Sequence, residues 1–168
     1  MDDGGANEIY SAVITTALDQ EYTRKQSLEQ RGLAVITTAG TLVSLIFGFA
    51  VFAGTRAIHL PLGAKLLLGA GLVAFLLAAV FGLRINRPLS TYYAPVAVSS
   101  LRRAVEPENW TGDGIEASRR VAEYRVSELD SWRNGNGLKA NALHRAVAAE
   151  TAGVALIAAG ILVLIFSA

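Results

Sequence analysis

The apolar residues of this 168-residue chain are concentrated in three blocks rather than spread along the sequence. Residues 33–54 include no charged side chain over 22 positions, and residues 66–83 and 151–168 are each uncharged over 18 positions. A helix rises about 1.5 Å per residue and the hydrocarbon core of a bilayer is about 30 Å thick, so blocks of this length can cross it. The pattern predicts an all-α, three-span helical membrane protein with a helical cytoplasmic region.

The hydrophobic pattern and the turn formers between the blocks divide the chain into five predicted segments. They are a cytoplasmic N-terminal helix at 1–32, transmembrane helices at 33–54, 63–83 and 146–168, and a helical cytoplasmic insertion at 84–145. Within the insertion, EPENWTGDG at 106–114 predicts a loop, and a helix is expected from about Gly114 to Arg133. NGNG at 134–137 predicts a stop or a flexible joint after that helix, and Gly32 predicts a bend in the first one.

Basic residues flank the apolar blocks unevenly, which predicts the orientation of the chain. Near the ends of the predicted spans, seven lie on one side and two on the other: Arg24, Lys25, Arg31, Arg84, Arg87, Lys139 and Arg145 against Arg56 and Lys65. The positive-inside rule then places the N-terminus and residues 84–145 in the cytoplasm and the C-terminus outside. The acidic, polar start does not resemble a signal peptide, so the first span is expected to be an uncleaved anchor in the inner membrane.

The two segments predicted to be cytoplasmic have opposite net charges. Residues 1–32 contain three basic and six acidic side chains, net −3, whereas residues 84–145 contain ten basic and seven acidic side chains, net +3. We expect the two segments to pack on each other. Neither is the one-sign stripe that nucleic-acid binding requires, so no nucleic-acid partner is expected.

Small residues recur at every fourth position on the predicted spans. Faces of this kind let helix backbones approach closely where the hydrophobic effect does not drive association. The predicted packing residues are Gly40, Ser44 and Gly48 in the first span and Ala74, Ala78 and Gly82 in the second. Such faces are explained either by packing within one chain or by self-association, and we expect a homo-oligomer in a lipid bilayer.

The sequence contains no catalytic or metal-binding signature. It has no P-loop glycine motif, no paired histidines at metal spacing, no serine in a nucleophile-elbow context and no cysteine. We therefore expect no enzyme activity, no metal and no cofactor. Thr37, Thr38 and Thr41 in the first span either line a polar seam or hydrogen-bond to carbonyl oxygens of their own helix.

Trp110, Arg119 and Arg120 are the candidate ligand-binding residues. An indole ring can stack on a base, and guanidinium groups bind phosphate through several donors at once, so this combination suits a small anionic ligand such as a nucleotide. The alternative is that Trp110 only anchors the loop beside it.

The layout of the chain resembles the small transmembrane effectors of bacterial anti-phage nucleotide-signalling systems, Pycsar-type effectors among them. The local similarity is a basic cluster before the first span, RKQSLEQRG at 24–32. Two closely spaced spans, a helical cytoplasmic insertion and a final C-terminal span complete the resemblance, which covers most of the chain. It implies that the protein senses a cyclic nucleotide and impairs the inner membrane, but it transfers no binding residue.

Three functions remain open from the sequence. The first is a signal-gated oligomeric effector that impairs the bacterial membrane in anti-phage defence. The second is a membrane adaptor or structural protein that recruits a cytoplasmic partner, and the third is a small pore that needs no ligand.

Overall fold

The computed structural model describes residues 4–55, 60–87, 99, 102, 106 and 114–166. Its long elements are three helices: α1, Gly4–Thr55; α2, Leu62–Asn86; and α3, Gly114–Phe166. These ranges contain no strand, and the predicted all-α fold is confirmed. Pro61 lies immediately before α2 and has extended backbone angles. Proline suits the start of a helix because it has no backbone N–H to donate to a preceding turn.

The predicted spans at 33–54 and 63–83 fall within α1 and α2, and residues 146–166 of the third fall within α3. Each of these helices is long and apolar enough to cross a membrane. Helices α1 and α3 have 52 and 53 residues, more than twice the roughly 20 residues that a bilayer requires. Each therefore continues as a helix well beyond its apolar part. Residues 88–113 of the predicted cytoplasmic insertion, which include most of the predicted loop, lie outside the described residues, apart from positions 99, 102 and 106.

The prediction of a stop or joint at NGNG is wrong, because α3 continues through residues 134–137 without interruption. Helix α1 likewise continues through Gly32. A Cβ at Gly32 would lie 3.0 Å from both Ile85 Cβ and Asn86 Nδ2. The glycine at this position therefore permits close contact with α2, which the expectation of a bend did not foresee.

Two compact units make up the chain. The first, called here the polar unit, comprises Met1–Ser27 and Pro88–Leu138, and the second, called the span unit, comprises Leu28–Arg87 and Lys139–Ala168. Helices α1 and α3 contribute residues to both units, whereas α2 belongs to the span unit alone.

Helix α2 packs against both of the other helices of the span unit. Its buried and half-buried positions alternate in steps of four and three residues, the spacing of helices that interlock side by side: Ala64, Leu68, Gly71, Phe75, Ala78, Gly82 and Ile85. A Cβ at Gly71 would lie 2.8 Å from Ile157 of α3, and one at Gly82 would lie 2.8 Å from Ile36 of α1. Val35, Ala78 and Ala146, one residue from each helix, form the buried apolar cluster at the centre.

The predicted small-residue faces have different surroundings. Ala78 and Gly82 are buried and Ala74 is half-buried within the span unit. Gly40, Ser44 and Gly48 are exposed, and a Cβ at either of those glycines would have no neighbour within 4 Å. The α2 face therefore serves packing within the chain, whereas none of the described helices covers the α1 face.

The hydroxyl groups of the first span bond to their own helix. Thr37, Thr38 and Thr41 donate to the carbonyl oxygens four residues earlier at 2.9–3.0 Å, and Ser44 donates to Gly40 O at 2.9 Å. These bonds satisfy the hydroxyl donors without a polar partner from elsewhere. Of the two interpretations of these side chains, back-bonding within the helix is the one confirmed.

Gly71→Ala is expected to lower the free energy of unfolding by about 1–3 kcal/mol, because the new methyl group would overpack the contact between α2 and α3. The added Cβ would also lie 3.2 Å from the backbone oxygen of Gly153, which cannot move without moving the helix. The measurement is an unfolding titration with a denaturing detergent in mixed micelles. Gly69→Ala is the matched control, since a Cβ there has open space, and an equal effect of both substitutions would contradict the close packing.

Candidate functional site: the polar layer between α1 and α3

In the polar unit, α1 and α3 lie side by side and run in the same direction. Arg125 Nη1 donates to Thr15 Oγ1 at 3.0 Å, and further along both helices Asn136 of α3 bonds to Glu21 of α1. Beside the second contact the Tyr22 and Trp132 rings meet edge to face, with 5.9 Å between centroids. The less exposed positions of both helices alternate in steps of four and three, so polar side chains here occupy places that are usually apolar.

Glu21 is the centre of a polar cluster. Asn136 Nδ2 donates to both the backbone oxygen and Oε2 of Glu21, each at 2.8 Å. Arg133 Nε lies 3.6 Å from Glu21 Oε1, and Arg24 Nη1 lies 3.6 Å from Oε2. The Glu21 side chain is only 12% exposed, and Asn136 is fully buried.

The bonds from Asn136 to Glu21 explain why α3 does not end at NGNG. A fully buried amide without partners would be costly, and here its donors are satisfied by a residue 115 positions away in the sequence. Asparagine and glycine have low helix propensity, but tertiary contacts routinely override such preferences. The helical state of residues 134–137 is thus stabilised by α1 rather than by the local sequence.

The Trp132 ring is held by α1 from two directions. Besides Tyr22, Lys25 Nζ lies 5.4 Å from the ring centroid, a cation–π contact. Its Nε1 donates to Glu128 Oε1 at 3.4 Å, one turn earlier on α3. The indole is therefore fixed one turn before Asn136.

In the span unit, Lys139 of α3 forms an ion pair with Glu29 of α1. The lysine side chain is 2% exposed and the glutamate side chain is 31% exposed, so the pair is largely buried. A buried charge is tolerated only when its partner is present, which makes this pair specific for one register of the two helices. Like the pair Glu21–Arg133, this pair joins an acidic residue of α1 to a basic residue of α3. These signs agree with the net charges of the two polar segments, negative for the first and positive for the second.

Sequence reasoning did not single out these polar contacts between α1 and α3, which are called here the polar layer. In the polar unit they are made by Glu21, Arg133 and Asn136, and in the span unit by the pair Glu29–Lys139. The neighbours of each residue along the chain predict only a solvated polar side chain. The available signal was the alternating four-and-three spacing, which includes Glu21 on α1 and both Asn136 and Lys139 on α3. A search for polar residues within such a pattern would have found three of the five.

The candidate ligand residues are only partly described. Trp110 lies outside the described residues. Arg119 Nε lies 3.3 Å from Glu123 Oε1, and Arg120 Nε lies 3.3 Å from Glu116 Oε1, both pairs being exposed on α3. Pairs of this kind contribute about 0–1 kcal/mol, so they would compete only weakly with an anionic ligand.

Among the described residues there is no group of three or more side chains of the types that bind metals. What these residues do form is a set of three helices able to span a bilayer, packed through small residues as membrane helices are. The chain is a multi-pass membrane protein. Comparisons with protein-family models, with curated proteins and with solved structures find no match to it.

Proposed function

We propose that this chain is a non-enzymatic, signal-gated effector of the bacterial inner membrane. A signal received by the cytoplasmic helices changes the packing of the spans in a homo-oligomer and impairs the membrane. The N-terminus and the polar unit face the cytoplasm, where the excess of flanking basic residues is expected. The resemblance in layout to anti-phage effectors suggests a cyclic nucleotide as the signal and defence against phage as the setting.

The observation that carries this proposal is the continuity of α1 and α3. Each is a single helix that includes both a polar segment and an apolar segment able to cross the membrane. A helix without a break transmits a displacement or rotation of one end to the other, whereas a flexible linker would absorb it. A simple anchor would not require two such helices held in register by a polar layer.

The exposed face of Gly40, Ser44 and Gly48 supports assembly. In the span unit, a Cβ added at Gly71, Gly82 or Gly153 would lie within about 3 Å of another helix. A Cβ added at Gly40 or Gly48 would have open space around it. Glycine lowers the stability of a helix interior, so its presence is best explained where close contact needs it. A neighbouring copy supplies that contact in the proposed oligomer.

A second candidate, the adaptor, is favoured by exposed apolar side chains in the polar unit. Ile9, Tyr10 and Val13 of α1 are 61–68% exposed, and Tyr124 and Val126 of α3 are 46% and 51% exposed. Large apolar side chains outside a membrane often mark protein-binding surfaces. A protein partner on this face would make recruitment, rather than membrane damage, the main activity.

A membrane-potential dye in bacteria that express the chain separates the candidates. We expect depolarisation only when a cyclic nucleotide is supplied, for example by a co-expressed cyclase, because the effector needs its signal. Depolarisation without any nucleotide would instead indicate a ligand-independent pore. The absence of depolarisation under every nucleotide tested would contradict the effector and leave the adaptor.

Two double variants test whether the arginines of α3 receive the signal. Arg119→Ala/Arg120→Ala is expected to abolish nucleotide-dependent depolarisation. Glu116→Gln/Glu123→Gln is the matched control, because it removes the same two ion pairs but keeps both guanidinium groups. A full response in the arginine variant would place the ligand elsewhere.

A further inference from the structure

The segment Asn134–Gly137 of α3 combines low helix propensity with a position between two sets of contacts. On its N-terminal side, Trp132 and Arg133 contact α1 within the polar unit. On its C-terminal side, Lys139 pairs with Glu29 within the span unit. Leu138 alone separates this segment from Lys139, the first residue of α3 that belongs to the span unit.

No close contact in the described structure requires a glycine at position 137. A Cβ there would have no neighbour within 4 Å, so an alanine would fit. Alanine would also favour the helix more strongly than glycine does. Asn134, at the other end of the segment, bonds only weakly to the preceding turn, with Nδ2 at 3.3 Å from Asp130 Oδ2.

Glu21 of α1 supports the helical state of the segment through Asn136. Its backbone oxygen and its carboxylate both accept from Asn136, at 2.8 Å each, and the carboxylate also lies beside Arg133. One residue of α1 therefore contacts α3 both inside the weak segment and immediately before it.

We propose that Asn134–Gly137 is a conditional helical segment, held in the helix by Glu21 and opened when the contacts of Glu21 are lost. Opening interrupts α3 between the contacts of the polar unit and those of the span unit. It is the regulatory step of the effector and in that role rests on the function proposed above. The local opening itself does not depend on that function.

Amide hydrogen exchange, followed by mass spectrometry on the full chain in lipid nanodiscs, tests the local opening. Glu21→Ala is expected to speed exchange of peptides that cover residues 134–138 by at least about tenfold, with no change in peptides of residues 150–160. Asp19→Ala is the matched control, being an exposed acidic residue on the same helix, and it is expected to leave exchange unchanged. Glu21→Ala/Gly137→Ala is expected to recover most of the protection, because alanine stabilises the helix directly.

Equal exchange in the Glu21→Ala and Asp19→Ala variants would overturn the proposal. A uniform increase along all of α3 would also overturn it, since this would mean general destabilisation rather than local opening. The dye assay is then run on the same variants. Local opening without any change in depolarisation would leave the conditional segment standing and would contradict its role in the proposed effector.

Discussion

Lys139→Met is expected to lower the free energy of unfolding by about 2–4 kcal/mol, the largest loss of stability that we expect from a single substitution in this chain. The lysine is 2% exposed and pairs with Glu29, so its removal takes from this half-buried carboxylate the cation that α3 supplies. The estimate lies below that for a fully buried pair because the Glu29 side chain is 31% exposed and partly solvated. Unfolding in mixed micelles with a denaturing detergent measures the loss.

Two further variants make this result specific to the ion pair. Glu29→Met/Lys139→Met is expected to recover at least half of the lost stability, because no uncompensated charge then remains. Lys65→Met, which removes an exposed lysine at the start of α2, is expected to change stability by less than about 0.5 kcal/mol. If Lys139→Met and Lys65→Met behaved alike, Lys139 would not be buried in an ion pair.

Gly40→Leu/Gly48→Leu is expected to weaken self-association by at least about tenfold, or about 1.4 kcal/mol, and to abolish depolarisation. Two leucines on the exposed small-residue face would keep the helix of a neighbouring copy at a distance. Within one chain they would meet no atom near the new Cβ positions, so the fold is expected to survive. Light scattering of the detergent-solubilised protein measures the oligomer, and circular dichroism measures the helix content.

The control for assembly is Gly69→Leu, on α2, where a Cβ likewise has open space. It adds a leucine to an exposed helix face without altering the proposed contact, and it is expected to leave both oligomer mass and depolarisation unchanged. An unchanged oligomer mass in the Gly40→Leu/Gly48→Leu variant would rule out this face as the assembly surface.

Much of the span unit could be predicted from the sequence, because the signals there are local. An uncharged block such as 33–54 indicates a membrane span by its length and composition alone, whatever it packs against. The spacing of Ala78 and Gly82 also indicated a packing face. It did not distinguish that face from the one at Gly40 and Gly48, since both have the same spacing and only one of them is covered by another of the three described helices.

The polar layer could not be predicted in the same way. NGNG at 134–137 is a sound local signal for the end of a helix, and it failed because Asn136 is satisfied by Glu21 of another helix. Arg119 and Arg120 form a basic pair in the sequence, and the structure pairs each of them with a glutamate one turn away on α3. In each case the deciding contact lay outside the pattern on which the prediction was based.

The sequence by itself determined that this protein is all-α and crosses a membrane several times. Those properties follow from the length and hydropathy of single segments, and each segment expresses them independently of the others. Only the tertiary structure decided that α1 and α3 are unbroken, that they run in the same direction within the polar unit, and that Glu21 and Glu29 meet Asn136 and Lys139. These features depend on contacts between residues more than 100 positions apart, and such contacts exist only once the helices have packed.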